Sequence, residues 1–251
     1  MHLGTPFTSA IAVVTLFNPL GLMAPGHVRA AEQQISTQME RSILQAYDRE
    51  DDLDRLEVQV LEGEATVSGL VPHLYAKNQA IQLALAIPGI ETVASEMELP
   101  EREEDADIAE QVVKIINGYA SYTLWDYLDG SINEGVVTLF GSVTPDRDKK
   151  GELYAQIAKI RGVQDYVDNI EIQSSSTGDE RLRSTLQRSI FSSEHFERYR
   201  SATPPFHIVV NQSTVRLVGY VPTQIEYLEM QRIVTQTQGV LRVENELQTL
   251  R

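Results

Sequence analysis

The side chains able to do chemistry are few and poorly grouped. Five histidines, His2, His27, His73, His195 and His207, share no metal-ligand spacing, and two of them fall in the first thirty residues. There is no cysteine, which excludes disulfides, thiolate metal sites, cysteine nucleophiles and a lipid-modified cysteine. In DREDDLD (48–54) carboxylates alternate as in a calcium loop. Leu53 stands where the turn glycine belongs and Gln59 where the bidentate glutamate belongs, so the stretch reads as a solvated helix end. Glu103 and Glu104 lie side by side in a polar connector, where nothing would separate their pKa values for acid–base work. No GxSxG, HExxH, phosphate-loop or dinucleotide fingerprint occurs. The expectation is therefore no catalytic residue, no metal and no cofactor.

Charge is more informative. Lys and Arg number 21 against 36 Asp and Glu, a net charge of −15, which argues against a nucleic-acid partner that would need its phosphates neutralised. The acidity is uneven: residues 31–100 carry −9, residues 101–173 carry −8, and residues 174–251 carry +1 with nine basic residues, all arginine. Guanidinium pairs bidentately with phosphate, so this last part is the candidate for an anionic headgroup contact. Arg181, Arg183 and Arg188 fall on one of its helices, and Ile225, Tyr227 and Leu228 on another. The alternative is that this face packs on a neighbouring part of the chain and the arginines pair acidic residues there.

These residues sit in a framework written three times. ATVSGLVP (65–72), VTLFGSVTP (137–145) and VRLVGYVP (215–222) each place a glycine, Gly69, Gly141 or Gly219, inside an apolar alternation. Alternation continues backwards through Leu56, Val58, Val60, then Leu128, Gly130, Ile132, then Phe206, Ile208, Val210, with short polar turns between. Period-two patterning across a short turn predicts a hairpin with one buried face. A proline follows each glycine and suits the first turn of a helix. A second glycine, Gly89, Gly162 or Gly239, comes 20, 21 and 20 residues after the first and suits a helix C-terminal cap, ahead of a last strand. Helices precede the hairpins at 36–49, 108–117 and 180–191. The predicted architecture is α+β: three tandem α-β-β-α-β modules at 36–100, 107–173 and 179–251, each a three-stranded mixed sheet with two helices on one face. The central glycines mark close backbone approaches. The connectors PEREEDAD (100–107) and QSSSTGD (173–179) read as solvated and flexible.

The hairpin with V-x-L-x-G-x-V, the helix, and then G-V-x-x-V-x-N resemble the BON domain, most clearly in VTLFGSV…RGVQDYVDN and VRLVGYV…QGVLRVEN. The first copy departs from it, with Ala94-Ser95 where the third has Glu244-Asn245. The resemblance implies a secreted or membrane-associated protein, like the osmotically induced periplasmic ones, without catalytic residues. Its implied partner is an anionic phospholipid surface, or alternatively an envelope protein or peptidoglycan for which the chain would be a scaffold.

Residues 1–30 read as a signal peptide. Residues 7–22 are mostly apolar but short for a bilayer span and broken by Asn18-Pro19, and small residues near 28–31 suit cleavage after Ala30 or Ala31. The mature chain would then work outside the cytoplasm, in the periplasm. Mass spectrometry of exported protein should find Ala31 or Glu32 as the first residue; intact Met1 in a membrane fraction would refute the signal.

Overall fold

Three hairpins, each closed by two residues in the left-handed region, organise the three modules. A computed structural model describes the backbone of residues 25–249 and the side chains of residues 32–249. The apolar segment 7–22 lies outside the described residues. In the first module β1 (Glu57–Leu61) and β2 (Glu64–Leu70) are antiparallel, and β2 pairs in parallel with β3 (Thr92–Glu98). Helix α1 (Pro25–Tyr47) precedes the hairpin and α2 (Leu74–Leu85) makes the crossover. The pattern repeats as α3 (Asp105–Gly118), β4 (Tyr127–Asn133), β5 (Val136–Val143), α4 (Lys149–Ile157) and β6 (Asp165–Ile172). It returns as α5 (Thr177–Phe191), β7 (Phe206–Asn211), β8 (Thr214–Val221), α6 (Gln224–Gln236) and β9 (Arg242–Thr249). Each sheet has the hairpin's second strand at its centre. The fold is α+β, with three α-β-β-α-β units in tandem.

Turn chemistry fixes the hairpins. Glu62-Gly63, Glu134-Gly135 and Gln212-Ser213 all have positive φ at both positions, as a two-residue type I′ connection requires. The third does so without glycine, and a carboxylate holds it. Asp179, in the first turn of α5, accepts from the N–H groups of both Gln212 and Ser213 at 2.9 Å. Asp105 in α3 does the same for Glu134 and Gly135, at 3.0 and 2.9 Å. Burial pushes the Asp179 pKa up, but those N–H donors and the nearby serines outweigh it and leave it below the ordinary carboxylate value. This clamp therefore stabilises the module above the unfolded pKa and is lost as pH falls through the lower folded one.

The inward residues are those of the alternation: Ala65, Val67, Val137, Leu139, Val215 and Leu217 are all fully buried beneath the helices. Gly130 occupies an inward slot of β4, where Leu139 crosses over it. The central glycines sit at φ +126 (Gly69), +130 (Gly141) and +109 (Gly219), and a Cβ on Gly219 would stand 2.5 Å from the Pro205 carbonyl oxygen. That carbonyl accepts from Tyr220 N–H, so the close approach is part of the strand pairing.

Four local expectations are corrected. Helix α1 begins at Pro25 rather than Ser36; the contacts of Met39, Ile43 and Tyr47 with the first core all lie beyond the expected cleavage point. The prolines stand outside the helices, because side chains that accept from free N–H groups take the cap positions. His73 Nδ1 accepts from Ala76, Asp148 from Gly151, and Thr223 forms a reciprocal capping box with Glu226. Gly89, Gly162 and Gly239, at φ +95, +85 and +100, are not helix caps either. Each is the third residue of a reverse turn beyond the helix, closed by Ile90 N–H to Ile87, Val163 to Ile160, and Val240 to Thr237. A positive φ at that turn position is what calls for glycine.

The connectors are the fourth correction, being held rather than free. Leu99 packs against both the first and second cores, Gln164 Nε2 donates to Pro100 O at 3.0 Å, and Asp105 is the hairpin clamp. In the second connector Gln173 and Asp179 are both buried, and Ser174 N–H donates to Asn211 Oδ1 at 3.0 Å. The modules also touch directly. Leu74 of α2 enters the second core, while Tyr75 N–H donates to Ala158 O.

Gly219→Val should cost about 2 kcal/mol or more, since it combines a disfavoured φ with a backbone clash. A thermal melt of the full chain that leaves the third module's transition unmoved would show that the close approach is not required.

Candidate functional site

The arginine-rich third module was expected to supply the site, and the structure sorts its arginines. Arg183 is withdrawn from it. Its side chain is buried, and Nη2 donates to Val210 O at 2.8 Å, Gln173 Oε1 at 3.1 Å and Ser174 O at 3.3 Å. Position 183 lies on the core side of α5 with Leu182, Leu186 and Ile190, so its guanidinium ties the second connector to β7 and cannot reach a headgroup. Burial pushes its pKa below the ordinary arginine value. Arg198 pairs with Glu226, Arg200 with Glu197 at 3.2 Å, Arg232 with Glu229 at 2.7 Å and Arg242 with Glu244 at 2.9 Å. Arg216 lies 5.4 Å over the Tyr127 ring of the second module.

Arg181 and Arg188 remain. Both are exposed on the outer side of α5, and among the described residues neither has a carboxylate within salt-bridge distance. Helix α6 lies beside α5 on the same face of the sheet. Ile225 and Leu228 are 63% and 57% exposed there, one turn apart, while Glu226, Met230, Ile233 and Val234 face inward. Tyr227 is half-buried against the third core and belongs to packing more than to the surface. The structure thus brings Arg181, Arg188, Ile225 and Leu228 onto the outer side of one two-helix layer and leaves Arg183 and Tyr227 beneath it.

Two features were not anticipated. One is a groove of about 760 Å³ where the second module meets the third. Leu124 and Trp125, just before β4, form one wall; Phe191 and Tyr199 form the other, with Arg188 and Arg200 at the rim. The junction itself is fixed by Ile208 N–H donating to Leu124 O and by Gln173 Nε2 donating to Trp125 O at 2.6 Å. On the far side of β7 the His207 ring lies 5.3 Å from that of Tyr122 and 5.9 Å from that of Tyr127. Burial pushes the His207 imidazole below its ordinary value, so the neutral ring is favoured in this aromatic contact.

The other is a buried ionic cluster in the second module. Lys149 Nζ donates to both oxygens of Asp126, at 3.0 and 2.8 Å, to Thr144 Oγ1 at 2.6 Å, and meets Asp146 at 3.0 Å. Asp126 and Lys149 are 0% and 1% exposed, and Asp126 also accepts from the N–H groups of Thr123 and Thr144. With both Asp126 oxygens engaged and the Lys149 ammonium buried against them, this pair offers a substrate no approach. Its role is to anchor the loop before β4 to the start of α4. Lys149 is the first residue of that helix, where a cation is otherwise unfavourable, and the two aspartates offset this. Asp126 and Lys149 are distant in sequence, and no local spacing announces the pair.

The family model for the BON domain matches residues 30–101 and 178–251. No curated protein matches the chain. Among solved structures, the chain is similar to CdsD, a structural protein of the type III secretion system of Chlamydia trachomatis. That likeness has 11% identity and a TM-score of 0.26, covering 85% of this chain and 92% of that one. The C-terminal domain of the same protein matches at 12% identity and a TM-score of 0.24, over 84% and 96%.

Removing one partner of the buried pair should be costly. Lys149→Met is expected to destabilise the second module by about 3 kcal/mol or more, because it leaves the Asp126 charge buried and uncompensated. Urea unfolding of the full chain checks this; a loss below about 1 kcal/mol would mean that water already reaches the cluster.

Proposed function

The chain belongs to the BON domain family, and from that premise we propose that it is a non-catalytic binding protein of the cell envelope, attaching to anionic phospholipid through the helical layer of its third module. The family is non-catalytic and occurs in envelope proteins, and no described helix is long and apolar enough to cross a membrane. Export by residues 1–30 and residence in the periplasm are parts of the same proposal.

The observation that carries it is the co-facial set Arg181, Arg188, Ile225 and Leu228. Basic residues near an anionic surface contribute on the order of 1 kcal/mol each, and shallow insertion of two aliphatic side chains adds a similar amount. A total of roughly 4 kcal/mol corresponds to a dissociation constant near the millimolar range. Attachment is therefore weak, reversible and salt-dependent, as suits a protein already confined beside a membrane. The first two modules, at −9 and −8, would be repelled by the same surface and held away from it.

The test uses the full mature chain, because cutting at residue 179 would strip Arg183 of Gln173 and Ser174. Co-sedimentation with phosphatidylglycerol vesicles at low salt should be clear for the wild type. It should fall several-fold for the Arg181→Glu/Arg188→Glu double variant and for the Ile225→Asp/Leu228→Asp double variant. If all three sediment alike, or none does, the lipid reading fails and a scaffold contacting another envelope protein or peptidoglycan takes its place.

A further inference from the structure

We propose that the groove between the second and third modules is a binding site for one single-chain anionic phospholipid, with its alkyl chain along the aromatic walls and its phosphate between Arg188 and Arg200. The ligand class rests on the lipid reading above. The site itself lies at a module junction and shares only Arg188 with the surface set.

Three observations carry the inference. The first is the lining. Leu124, Trp125, Phe191 and Tyr199 are half-buried, so each presents part of an apolar side chain to a concavity of about 760 Å³. That is within the range of sites that enclose small amphiphiles. The second is charge complementarity. In a chain of net charge −15, two guanidinium groups stand at the rim. Arg188 Nε donates to Ser184 O, and its terminal nitrogens have no protein acceptor among the described residues. Arg200 is braced by Nε donating to Phe191 O and Nη1 to Glu197, which leaves Nη2 for a ligand. Two preorganised donors on one edge suit a phosphate.

The third observation favours an alkyl chain over a peptide. A bound peptide brings backbone N–H groups that need acceptors once they are desolvated. Three carbonyls of the apolar walls are already taken: Leu124 O by Ile208 N–H, Trp125 O by Gln173 Nε2 and Phe191 O by Arg200 Nε. An alkyl chain needs no acceptor and loses only its contact with water. One wall comes from each module, so the site exists only while the junction is closed, and an occupant would in turn stabilise that junction.

Trp125 is the chain's single tryptophan, so its emission reports on the groove without labelling. The full mature chain is titrated with a single-chain phosphatidylglycerol below its micelle concentration, with the free glycerophosphoglycerol headgroup as a second arm. The expected result is a saturable blue shift at one lipid per chain and no response to the headgroup. Arg188→Glu should weaken the response about tenfold, the loss of one charged hydrogen-bonding partner. Ser192→Phe, at an exposed groove residue, should abolish it by filling the space. Ile225→Asp/Leu228→Asp should leave it intact.

The inference is overturned if wild-type emission does not move, if Ser192→Phe responds like the wild type, or if the headgroup alone gives the full shift. The last outcome would assign the arginines to free phosphate. Vesicle binding with a silent Trp125 would remove the groove site and leave the surface reading standing. A Trp125 response without vesicle binding would do the reverse.

Discussion

Each module depends on the register of its central strand, which is paired on both sides and pinned at both ends. At one end a two-residue left-handed turn sets Leu61 opposite Glu64, Asn133 opposite Val136 and Asn211 opposite Thr214. At the other the central glycine, at positive φ, meets a backbone carbonyl at or just before the start of the first strand, that of Arg55, Tyr127 or Pro205, which crowds out a side chain. Side chains alternate along a strand, so a slip of one residue would turn Val67, Leu139 or Leu217 to the opposite face and empty the core. The aspartates at the starts of α3 and α5 extend this constraint outward, because binding the turn's N–H groups ties the preceding helix to the hairpin independently of the side chains packed between them.

Within that common frame one inward helix position has been filled in three ways. The buried ladders Ala76, Ala80, Ala84, then Lys149, Leu153, Ile157, then Glu226, Met230, Val234 correspond step for step. Their first members are a methyl group, a cation and an anion. Each charged one is matched by an opposite charge from a loop of its own module: Asp126 for Lys149, Arg198 for Glu226. A buried ion adds little net stability even when paired, but it strongly penalises the wrong partner. Exchanging these helices between modules would bury an unmatched charge, so the three copies are alike in fold and not interchangeable in sequence.

Features set by neighbours in the chain were legible from the sequence. Period-two alternation marked the six hairpin strands, and paired glycines at near-constant spacing marked the unit and the place of each last strand, because residue type alone reports a buried face or a positive φ. Features set by distant partners were not. Arg183 reads as one more surface arginine until β7 brings the Val210 carbonyl beneath it. Tyr227 reads as exposed until the third core reaches it. The connectors read as free from their composition, yet Asp105 and Asp179 within them hold turns about thirty residues away. The groove is the extreme case: Trp125 and Phe191 belong to different modules and have no relation in sequence. Leu124, Trp125 and Arg200 were present in plain sight as loop residues, and only the junction brings them together around one groove.

The same sorting explains why so small a set of charges could matter on so acidic a protein. A module total of +1 counts every arginine against every carboxylate as though they shared one space. They do not. Asp179 is buried on a turn, while Glu226, Glu229, Glu244 and Glu197 are each tied to an arginine of their own, four of the nine. Arg183 is internal and Arg216 faces Tyr127. Five of the module's eight carboxylates are thus engaged elsewhere; Glu180, exposed beside Arg181 in the first turn of α5, offsets part of that charge, while Arg188 faces solvent two turns farther along. Screening limits the field of these arginines to about 8 Å at physiological salt. Over that range the local arrangement, rather than the net charge of the chain, decides what approaches the helical layer. On the proposed lipid reading, the acidic first two modules act on its orientation, turning the third toward an anionic surface by being excluded from it.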